Sequence, residues 1–269
     1  AEYARQTEID QIIVALDNKR DTTPRDELFK CRLQGVKVLN LVNFFEREAG
    51  KILVDFATPG WMTLTEDLRS NASGSMTKRL FDILSSFILL MGTWPIMLIT
   101  AAAIWMEDGF KAPIFFSQER VGLNGKAFRV IKFRSMSVDA EGDGKARWAT
   151  KNDSRVTRVG SFIRRTRIDE LPQIFNVISG NMAFIGPRPE RPEFVRQLAE
   201  AIPFYHSRHA VKPGITGWAQ MSYPYGSSED DARQKLQFDL YYVKNQSLFL
   251  DFMITLNTVE VVLFGKGAR

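Results

Sequence analysis

The sequence is poor in the residues that build redox and metal sites. Its 269 residues include a single cysteine, Cys31, and two histidines, His206 and His209. One cysteine excludes an internal disulfide, fits a reducing compartment and leaves no cysteine-based metal site. Two histidines exclude a histidine-rich metal site. Since no nucleophile-elbow serine motif accompanies them, we expect both histidines to be surface or core residues rather than catalytic bases.

The chain also lacks a dinucleotide-binding motif and any internal repeat. No GxGxxG occurs, so nothing indicates a bound dinucleotide. The N-terminal residues AEYARQTEIDQ contain no start methionine, no apolar signal core and no cleavage motif, and we expect the chain to begin within a longer protein. The net charge is only +5, but much of the basic excess falls in two clusters, 155–167 and 188–191. Such clusters indicate an anionic ligand or an anionic membrane surface.

One long apolar run interrupts an otherwise charged sequence. Residues 80–106 read LFDILSSFILLMGTWPIMLITAAAIWM, and a straight helix of that length would cross a bilayer core. Pro95, near its middle, removes a backbone donor and clashes with the preceding turn. The run therefore predicts either one kinked crossing or a helix that enters the membrane and returns to the same side.

The segment before the apolar run has the pattern of an α/β protein. Residues 9–16 and 36–42 are typical of buried strands, and residues 24–34 between them are helix-like and end before Gly35. This strand–helix–strand order predicts the second half of a larger Rossmann-like domain with a structural or regulatory role. The polar residues 69–75, RSNASGS, are the expected boundary.

The segment after the run mixes strands and helices. Asn124-Gly125 between two strand-like stretches predicts a hairpin. Residues 161–168 and 169–180 are helix-like, 139–153 are typical of a polar loop, and the last helix, about 247–264, is apolar on nearly all sides.

Asp169-Glu170 is the first candidate for chemistry. Three arginines precede it: Arg164, Arg165 and Arg167. Asp169 is a good N-cap residue, and capping alone would explain it. Alternatively, a helix N-terminus beside arginines is suited to phosphate, and a carboxylate there can attack phosphorus to form an acyl phosphate. The adjacent Glu170 can then hold Mg²⁺ together with substrate phosphates.

Two further groups of basic residues are candidates for phosphate binding. In Gly186-Pro187-Arg188-Pro189-Glu190 the prolines restrict the backbone on both sides of Arg188, which suits bidentate phosphate binding or is only a rigid turn. Lys132 and Arg134 in KFRSM alternate along a strand and so share a face. That face is either directed at a phosphate or merely solvated.

Four stretches together resemble the bacterial sugar transferases, the monotopic phosphoglycosyl transferases that initiate exopolysaccharide and O-antigen synthesis. They are KRLFDILSSFILL…P, PIFFSQERVGLNGKAFRVIKFRSM, DSRVTRVGSFIRRTRIDELPQIFNVISGNMAFIGPRPE and KPGITGWAQ. They follow the family order over roughly residues 76–265. The resemblance implies a mixed α/β fold: a partial Rossmann-like domain (1–68), a linker (69–75), a re-entrant membrane helix–break–helix (76–108), and a small α+β catalytic domain with amphipathic interfacial helices (109–269).

The resemblance also implies a reaction. Asp169 attacks the β-phosphate of a UDP-sugar, with UDP-glucose or UDP-galactose favoured, and UMP leaves. Polyprenyl (undecaprenyl) phosphate then attacks the phosphosugar–aspartate intermediate. Glu170 is the implied Mg²⁺ ligand. The residues expected to bind phosphate or nucleotide are Lys132, Arg134, Arg164, Arg165, Arg167, Pro187, Arg188 and Pro189.

The resemblance further implies a place in the cell and a set of partners. The expected location is the cytoplasmic face of the bacterial inner membrane, in contact with its lipid, with no nucleic-acid partner and with a homodimer as a possible assembly. A cytoplasmic donor requires both flanks of the apolar run on one side, so the chain must turn back at Pro95. The family usually has Ser-Pro at this break, whereas Trp94 precedes Pro95 here; Thr93 is the expected substitute for the serine hydroxyl.

Two alternatives remain from the residues. One is a nucleotide-sugar sensor or scaffold that has lost catalysis, against which the intact Asp169-Glu170 pair argues. The other is a single-pass anchor joining two unrelated soluble domains, which would place residues 1–75 and 107–269 on opposite sides of the membrane.

Overall fold

The computed structural model describes residues 2–7, 9–15, 24–57, 76–140, 153–224, 226 and 228–264. The chain divides into two compact units, Ala1–Thr65 and Glu66–Arg269. The expected linker 69–75 and most of the expected loop 139–153 lie outside the described residues.

The first unit is a small strand–helix–strand arrangement. Its elements are α1 (Glu2–Gln6), β1 (Gln11–Val14), α2 (Arg25–Leu33), β2 (Lys37–Asn40), α3 (Leu41–Ala49) and a 3-10 turn (Val54–Phe56). β1 and β2 pair in parallel, so the predicted strand–helix–strand order is confirmed. The assignment of this unit to a Rossmann-like domain stays a prediction.

The second strand ends earlier than its sequence indicates. Strand-like residues continue to Val42, but the side chain of Asn40 accepts a hydrogen bond from the backbone N–H of Asn43 at 2.7 Å. This cap starts α3 at Leu41. Cys31 is buried against Ala4 and Val36, as a small apolar side chain would be.

The second unit carries the remaining elements. They are α4 (Met76–Glu107), β3 (Phe115–Val121), β4 (Ala127–Phe133), α5 (Arg158–Arg165), a 3-10 turn (Ile168–Glu170), α6 (Gln173–Ile178), β5 (Ala183–Ile185), α7 (Pro192–Ala201), a 3-10 helix (Tyr205–Ala210), β6 (Gly214–Thr216), α8 (Trp218–Ser222), α9 (Glu229–Asn245) and α10 (Leu248–Phe264). The mixture of helices and strands with one long apolar helix agrees with the expected α/β class.

The apolar run forms the single helix α4, which continues through Pro95. By length and composition this helix could cross a membrane. The Thr93 hydroxyl donates to the carbonyl of Leu89 at 2.7 Å, and not to the carbonyl of Met91, which is the one left without a backbone donor by Pro95. Thr93 is therefore not the predicted substitute for the missing donor, although such back-bonding can bend a helix. The return of the chain to one side of a membrane stays a prediction.

Both ends of α4 are bonded to the rest of the second unit. At the start, Arg79 donates to the carbonyls of Val177 and Ile178, at 2.6 Å each. At the end, the Glu107 carboxylate accepts from the backbone N–H groups of Arg158 and Val159, at 2.8 and 3.1 Å. The first turn of α5 is thus capped by a side chain of α4.

A buried polar cluster also fixes the start of α4. The Lys78 ammonium lies 2.9 Å from carboxylate oxygens of both Asp82 and Asp251. Asp82 accepts from the backbone N–H of Phe184 at 3.0 Å, and the Tyr242 hydroxyl donates to Asp251 at 2.7 Å. This cluster joins α4, β5, α9 and α10.

The middle of α4 and the outer side of α10 expose large apolar side chains. On α4 they include Phe87, Ile88, Met91, Trp94, Leu98 and Ile99. On α10 they include Phe249, Phe252, Met253 and Leu256. An exposed apolar surface of this extent is typical of contact with lipid or another protein.

Strands β3 and β4 form an antiparallel ribbon that supports the site. The register pairs Phe115 with Phe133 and Val121 with Ala127. Asn124 and Gly125 both have positive φ, +54° and +76°, as the connection between two tightly joined strands requires. The predicted hairpin is confirmed.

Candidate functional site

Asp169 and Glu170 lie in a short 3-10 turn between α5 and α6. Arg167, just before it, has φ +61°, an unusual conformation for a residue with a side chain. The N-cap of α6 is Pro172, three residues after Asp169. The alternative that Asp169 serves only as a helix cap is therefore wrong, because the chain makes a separate turn before α6 begins.

Glu170 is surrounded by cations. Its Oε1 lies 2.9 Å from the Lys132 Nζ and 2.5 Å from the Arg188 Nη2. Arg167 approaches its Oε2 to 3.7 Å. Burial alone would raise the pKa of Glu170, but Arg188, Lys132 and Arg167 together bring that pKa well below its usual range. Glu170 is an ionised carboxylate at neutral pH.

Asp169 has the opposite surroundings. It is buried, and within the described part of the chain its carboxylate accepts no hydrogen bond. Burial, and then the charge of Glu170, raise its pKa, while Lys132, Arg188 and Arg164 act against this shift. A desolvated carboxylate without hydrogen bonds has its lone pairs available for attack.

Asn176 fixes the ribbon to the turn that carries the two acids. Its side-chain amide donates to the Arg129 carbonyl at 2.8 Å and accepts from the Ile131 N–H at 2.9 Å. The side chain thus pairs with the backbone of β4 as a neighbouring strand would. Lys132, the next residue on β4, is thereby held beside Glu170. The sequence stretch DELPQIFN contains Asn176, but its partner 45 residues away gives no local signal.

The turn containing Arg188 is clamped by a neighbouring glycine-rich segment. β5 pairs in parallel with β6, and a Cβ on Gly214 or Gly217 would overlap backbone atoms of Gly186. The glycines of KPGITG therefore allow this close approach. Arg188 points from the turn to Glu170 and also donates to the Gln220 side chain at 3.1 Å.

Arg208 supports the same turn from behind. Its guanidinium donates to the Arg188 carbonyl at 3.0 Å and pairs with the buried Asp239 at 2.7 Å. Arg208 also donates to the Tyr205 hydroxyl at 2.8 Å. Sequence analysis did not identify Arg208. It stands between His206 and His209, which are not part of the site, and its contacts with Arg188 and Asp239 join residues far apart in sequence.

The remaining predicted residues divide into those near the pair and those elsewhere. Arg164 is half-buried and acts on Asp169 through its charge. Arg165 is exposed, and no contact joins it to the pair within the described ranges. Pro187 is buried, and its carbonyl accepts from the Gly214 N–H at 3.0 Å. The carbonyl of Pro189 accepts from Arg120 at 3.3 Å.

Arg134 does not join Lys132 at the acidic pair. Its guanidinium is buried and bonded to Asp108, which follows the end of α4. Arg134 lies one residue beyond the end of β4. Its side chain contacts Asp108 whereas that of Lys132 contacts Glu170, so the predicted pair on one strand face does not form. In this structure Arg134 ties α4 to β4.

The two adjacent carboxylates are compatible with a hard divalent cation. Within the residues that the structure describes, no group of three or more His, Cys, Asp or Glu side chains converges as a metal site. Mg²⁺, however, is usually held by one or two carboxylates together with substrate phosphates and water. The Asp169 oxygens accept no hydrogen bond from the described residues, whereas Glu170 already faces Lys132 and Arg188. The donor set therefore fits only a cation that arrives with an anionic substrate.

Comparison with known proteins gives a consistent result. The family model described as "Bacterial sugar transferase" matches residues 73–265. A UDP-N-acetylgalactosamine-undecaprenyl-phosphate N-acetylgalactosaminephosphotransferase from Aeromonas hydrophila is 42% identical over 250 residues, which are 90% of this chain and 56% of the relative. A UDP-glucose:undecaprenyl-phosphate glucose-1-phosphate transferase from Xanthomonas campestris pv. campestris is 44% identical over 195 residues, 72% of this chain and 40% of the relative.

A shorter relative is matched over nearly its whole length. The exopolysaccharide production protein PSS from Rhizobium leguminosarum bv. phaseoli is 41% identical over 196 residues, 71% of this chain and 97% of the relative. By contrast, the chain spans about half the length of the Aeromonas and Xanthomonas relatives.

Proposed function

Because the chain belongs to the bacterial sugar transferase family, we propose that it transfers a sugar 1-phosphate from a UDP-sugar to undecaprenyl phosphate and so initiates polysaccharide synthesis. The observation that carries the proposal is the contrast within the acidic pair. Asp169 is buried and accepts no hydrogen bond from the residues that the structure describes, and the Glu170 beside it is held by Lys132 and Arg188.

The reaction proceeds in two displacements at phosphorus. A carboxylate oxygen of Asp169 attacks the β-phosphorus of the donor, and the bond from that phosphorus to the bridging oxygen breaks. UMP leaves with the electron pair, and the sugar phosphate is bound to Asp169 as an acyl phosphate. A phosphate oxygen of the lipid acceptor then attacks the same phosphorus, and the Asp169 carboxylate is released unchanged.

The cations of the site stabilise the charge of the transferred group. Three cations contact Glu170: Lys132, Arg188 and Arg167. When the donor enters, these cations can turn toward its diphosphate and stabilise its negative charge. Glu170 and Asp169 are the residues that would hold Mg²⁺ together with the donor diphosphate, and the ion would then neutralise part of the diphosphate charge. Arg208 and Gln220 keep the Arg188 turn in place.

The donor is a UDP-hexose, and the names of the relatives differ in the sugar. The name of the Xanthomonas relative gives UDP-glucose as its donor, and the name of the Aeromonas relative gives UDP-N-acetylgalactosamine. UDP-glucose or UDP-galactose stays the prediction from the resemblance, and UDP-N-acetylgalactosamine joins it because the Aeromonas relative matches 90% of this chain.

We also propose that α4 enters the membrane and returns to the same, cytoplasmic side. A straight helix of 32 residues is about 48 Å long, longer than a hydrocarbon core of about 30 Å. The bonds of Arg79 at its start and of Glu107 at its end both go to the second unit. A single crossing would place hydrocarbon between these two ends, so the bonds support a re-entrant arrangement with the exposed apolar middle in lipid.

The chemical proposal is tested by UMP release. The protein is incubated with Mg²⁺, undecaprenyl phosphate and each of four donors, the UDP forms of glucose, galactose, N-acetylglucosamine and N-acetylgalactosamine. We expect UMP with at least one donor, and a loss of at least about 10³-fold in D169N. The exposed aspartate at the start of α9, changed in D230N, is the matched control and should retain activity.

Trapping of the intermediate distinguishes an enzyme from an inactive sensor. Without acceptor, mass spectrometry should find one sugar phosphate attached to the peptide that contains Asp169. Donor binding without UMP release from any of the four sugars would instead support a sensor or scaffold. Activity of D169N equal to that of the parent would exclude the covalent route.

A further inference from the structure

A small cavity beside the acidic pair is lined mainly by cationic and polar side chains. Its lining residues are Arg120, Val130, Lys132, Gln173, Arg188 and Pro189. Among these described residues none is acidic, and three carry a positive charge. Lys132 and Arg188 also contact Glu170, so the cavity adjoins the site, but Arg120 has no role in the chemistry described so far.

The Arg120 guanidinium uses only part of its hydrogen-bonding capacity on the described residues. Its side chain, on β3, is only 18% exposed. One N–H donates to Gln118 at 2.6 Å and another to the Pro189 carbonyl at 3.3 Å, out of the five that a guanidinium offers. Glu190 is 3.6 Å away, a loose pair that leaves the guanidinium able to take a further acceptor.

The charges around the cavity repel one another. Burial lowers the pKa of Arg120, and the neighbouring Arg188 and Arg191 lower it further, whereas Glu190 acts in the opposite direction. Burial likewise lowers the pKa of Lys132; Glu170 acts against this shift, and Arg188 adds to it. An anion placed between these groups would relieve both the repulsion and the loss of hydration.

The position of Arg120 indicates which anion this is. Lys132 and Arg188 contact Glu170, the neighbour of Asp169. The strand register instead pairs Arg120 with Phe128, four residues from Lys132 along β4, and the Arg120 guanidinium contacts the Pro189 carbonyl. Arg120 therefore lies on the side of the cavity away from the nucleophile. In a UDP-sugar the β-phosphate meets the nucleophile, and the next anionic group outward is the phosphate attached to uridine.

We propose that the cavity binds the phosphate of the nucleotide half of the donor, and of UMP as the leaving group, with Arg120 as its outer ligand. This inference rests on the proposed function, because it takes the UDP-sugar as the donor. It adds a substrate-binding residue from β3 to the residues of the turn and of β4.

Binding of UMP, uridine and inorganic phosphate to the full chain tests the proposal without turnover. Titration calorimetry is done with the parent, R120Q, R120K and the control R129Q. Arg129 lies on the adjacent strand of the same ribbon, with its guanidinium on Ser117 and outside the cavity. We expect R120Q to weaken UMP binding by about 10- to 100-fold, as loss of a charge-assisted contact does, and to leave uridine binding unchanged.

The controls make the outcome decisive. R129Q should bind UMP within about twofold of the parent, and R120K, which keeps the charge without the planar fork, should lie between parent and R120Q. If R120Q does not fold, as judged by its melting temperature, R120K decides the question through the same UMP-to-uridine comparison. Equal UMP affinity in parent and variant, an equal loss for uridine, or no UMP binding by the parent overturns the inference.

The proposed function fails separately from this inference. Active enzyme whose UMP affinity is insensitive to Arg120 overturns only the assignment of Arg120. UMP binding that depends on Arg120, in a protein that releases UMP from none of the four donors, overturns only the proposed reaction.

Discussion

Asp169 and Glu170 are neighbours in sequence with opposite electrostatic surroundings. Glu170 faces three cations within 3.7 Å, and its pKa is depressed. Asp169 is desolvated without a hydrogen-bonding partner among the described residues, and its pKa is raised. Two carboxyls whose pKa values are driven apart are typical of a division of labour in catalysis. In the proposed reaction Glu170 provides a fixed negative charge and Asp169 the nucleophile.

The acidic limb of the pH profile should therefore belong to Asp169. The proposed attack requires Asp169 to be ionised, and its pKa lies above the ordinary value of 3.8, so kcat/KM should fall as the pH drops through this raised pKa. Lys132 lowers that pKa. In K132M the limb should move to higher pH, and the plateau should fall by about 10-fold or more with the loss of a charge-assisted contact.

Profiles of kcat/KM for the donor, measured from acidic to neutral pH, check this expectation. R129Q removes a positive charge from the same ribbon, away from the pair, and should leave the limb in place. A limb that stays fixed in K132M would show that it reports a group other than Asp169.

Local signals in the sequence predicted the elements better than they predicted the site. Asn124-Gly125 predicted a hairpin because the positive φ values it needs are a property of those two residues. The bonding of Arg134 to Asp108 and of Asn176 to β4 joins residues far apart in sequence. Such contacts depend on tertiary packing, so alternation along β4 could not separate the role of Lys132 from that of Arg134.

The glycines next to the Arg188 turn should be intolerant of any side chain. A Cβ at Gly217 would overlap the carbonyl oxygen of Gly186, and overpacking of this kind costs about 1–3 kcal/mol. Because the displaced Gly186 belongs to the turn that holds Arg188, we expect G217A to lower kcat by at least about 10-fold. At a temperature where G217A is folded, this loss of activity should exceed what its lower stability explains.

Urea unfolding in detergent and UMP release measure the two effects on the same preparations. The control is G92A in α4, where a Cβ meets no atom within 4 Å and where alanine favours a helix. G217A with the parent's kcat would mean that the turn does not need this close approach.

The proposed re-entrant path of α4 gives a definite labelling pattern for the whole molecule. In a C31S background, single cysteines are placed at Met76 and Lys111, both exposed and on either side of the apolar run. In sealed inner-membrane vesicles a membrane-impermeant maleimide should label both from the same side. I88C, in the exposed middle of the helix, should react only after detergent is added.

Labelling of M76C and K111C from opposite sides would contradict the re-entrant path. It would favour the single-pass anchor, and the bonds of Arg79 and Glu107 to the second unit could not both persist in the membrane.

The second unit should be sufficient for the reaction. The family match begins at residue 73, and 71% of this chain is enough to match 97% of the Rhizobium relative. We expect a protein of residues 66–269 to release UMP with a kcat within about threefold of the full chain, as for a unit with its own core. Inactivity of this folded unit, with activity of the full chain, would assign the first unit a direct part in catalysis.

The two carboxylates that contact Lys78 at the start of α4 are synthesised at different times. Lys78 and Asp82 belong to the first turns of the helix, whereas Asp251, the other carboxylate that Lys78 contacts, is made about 170 residues later. At roughly 5–20 residues per second, about 10–30 s of translation separate them. In the proposed membrane arrangement the apolar run can therefore reach the bilayer when Lys78 has Asp82 beside it but Asp251 is not yet made. In that arrangement the helix would enter the membrane first, and Lys78 would gain its second carboxylate only after Asp251 has been made.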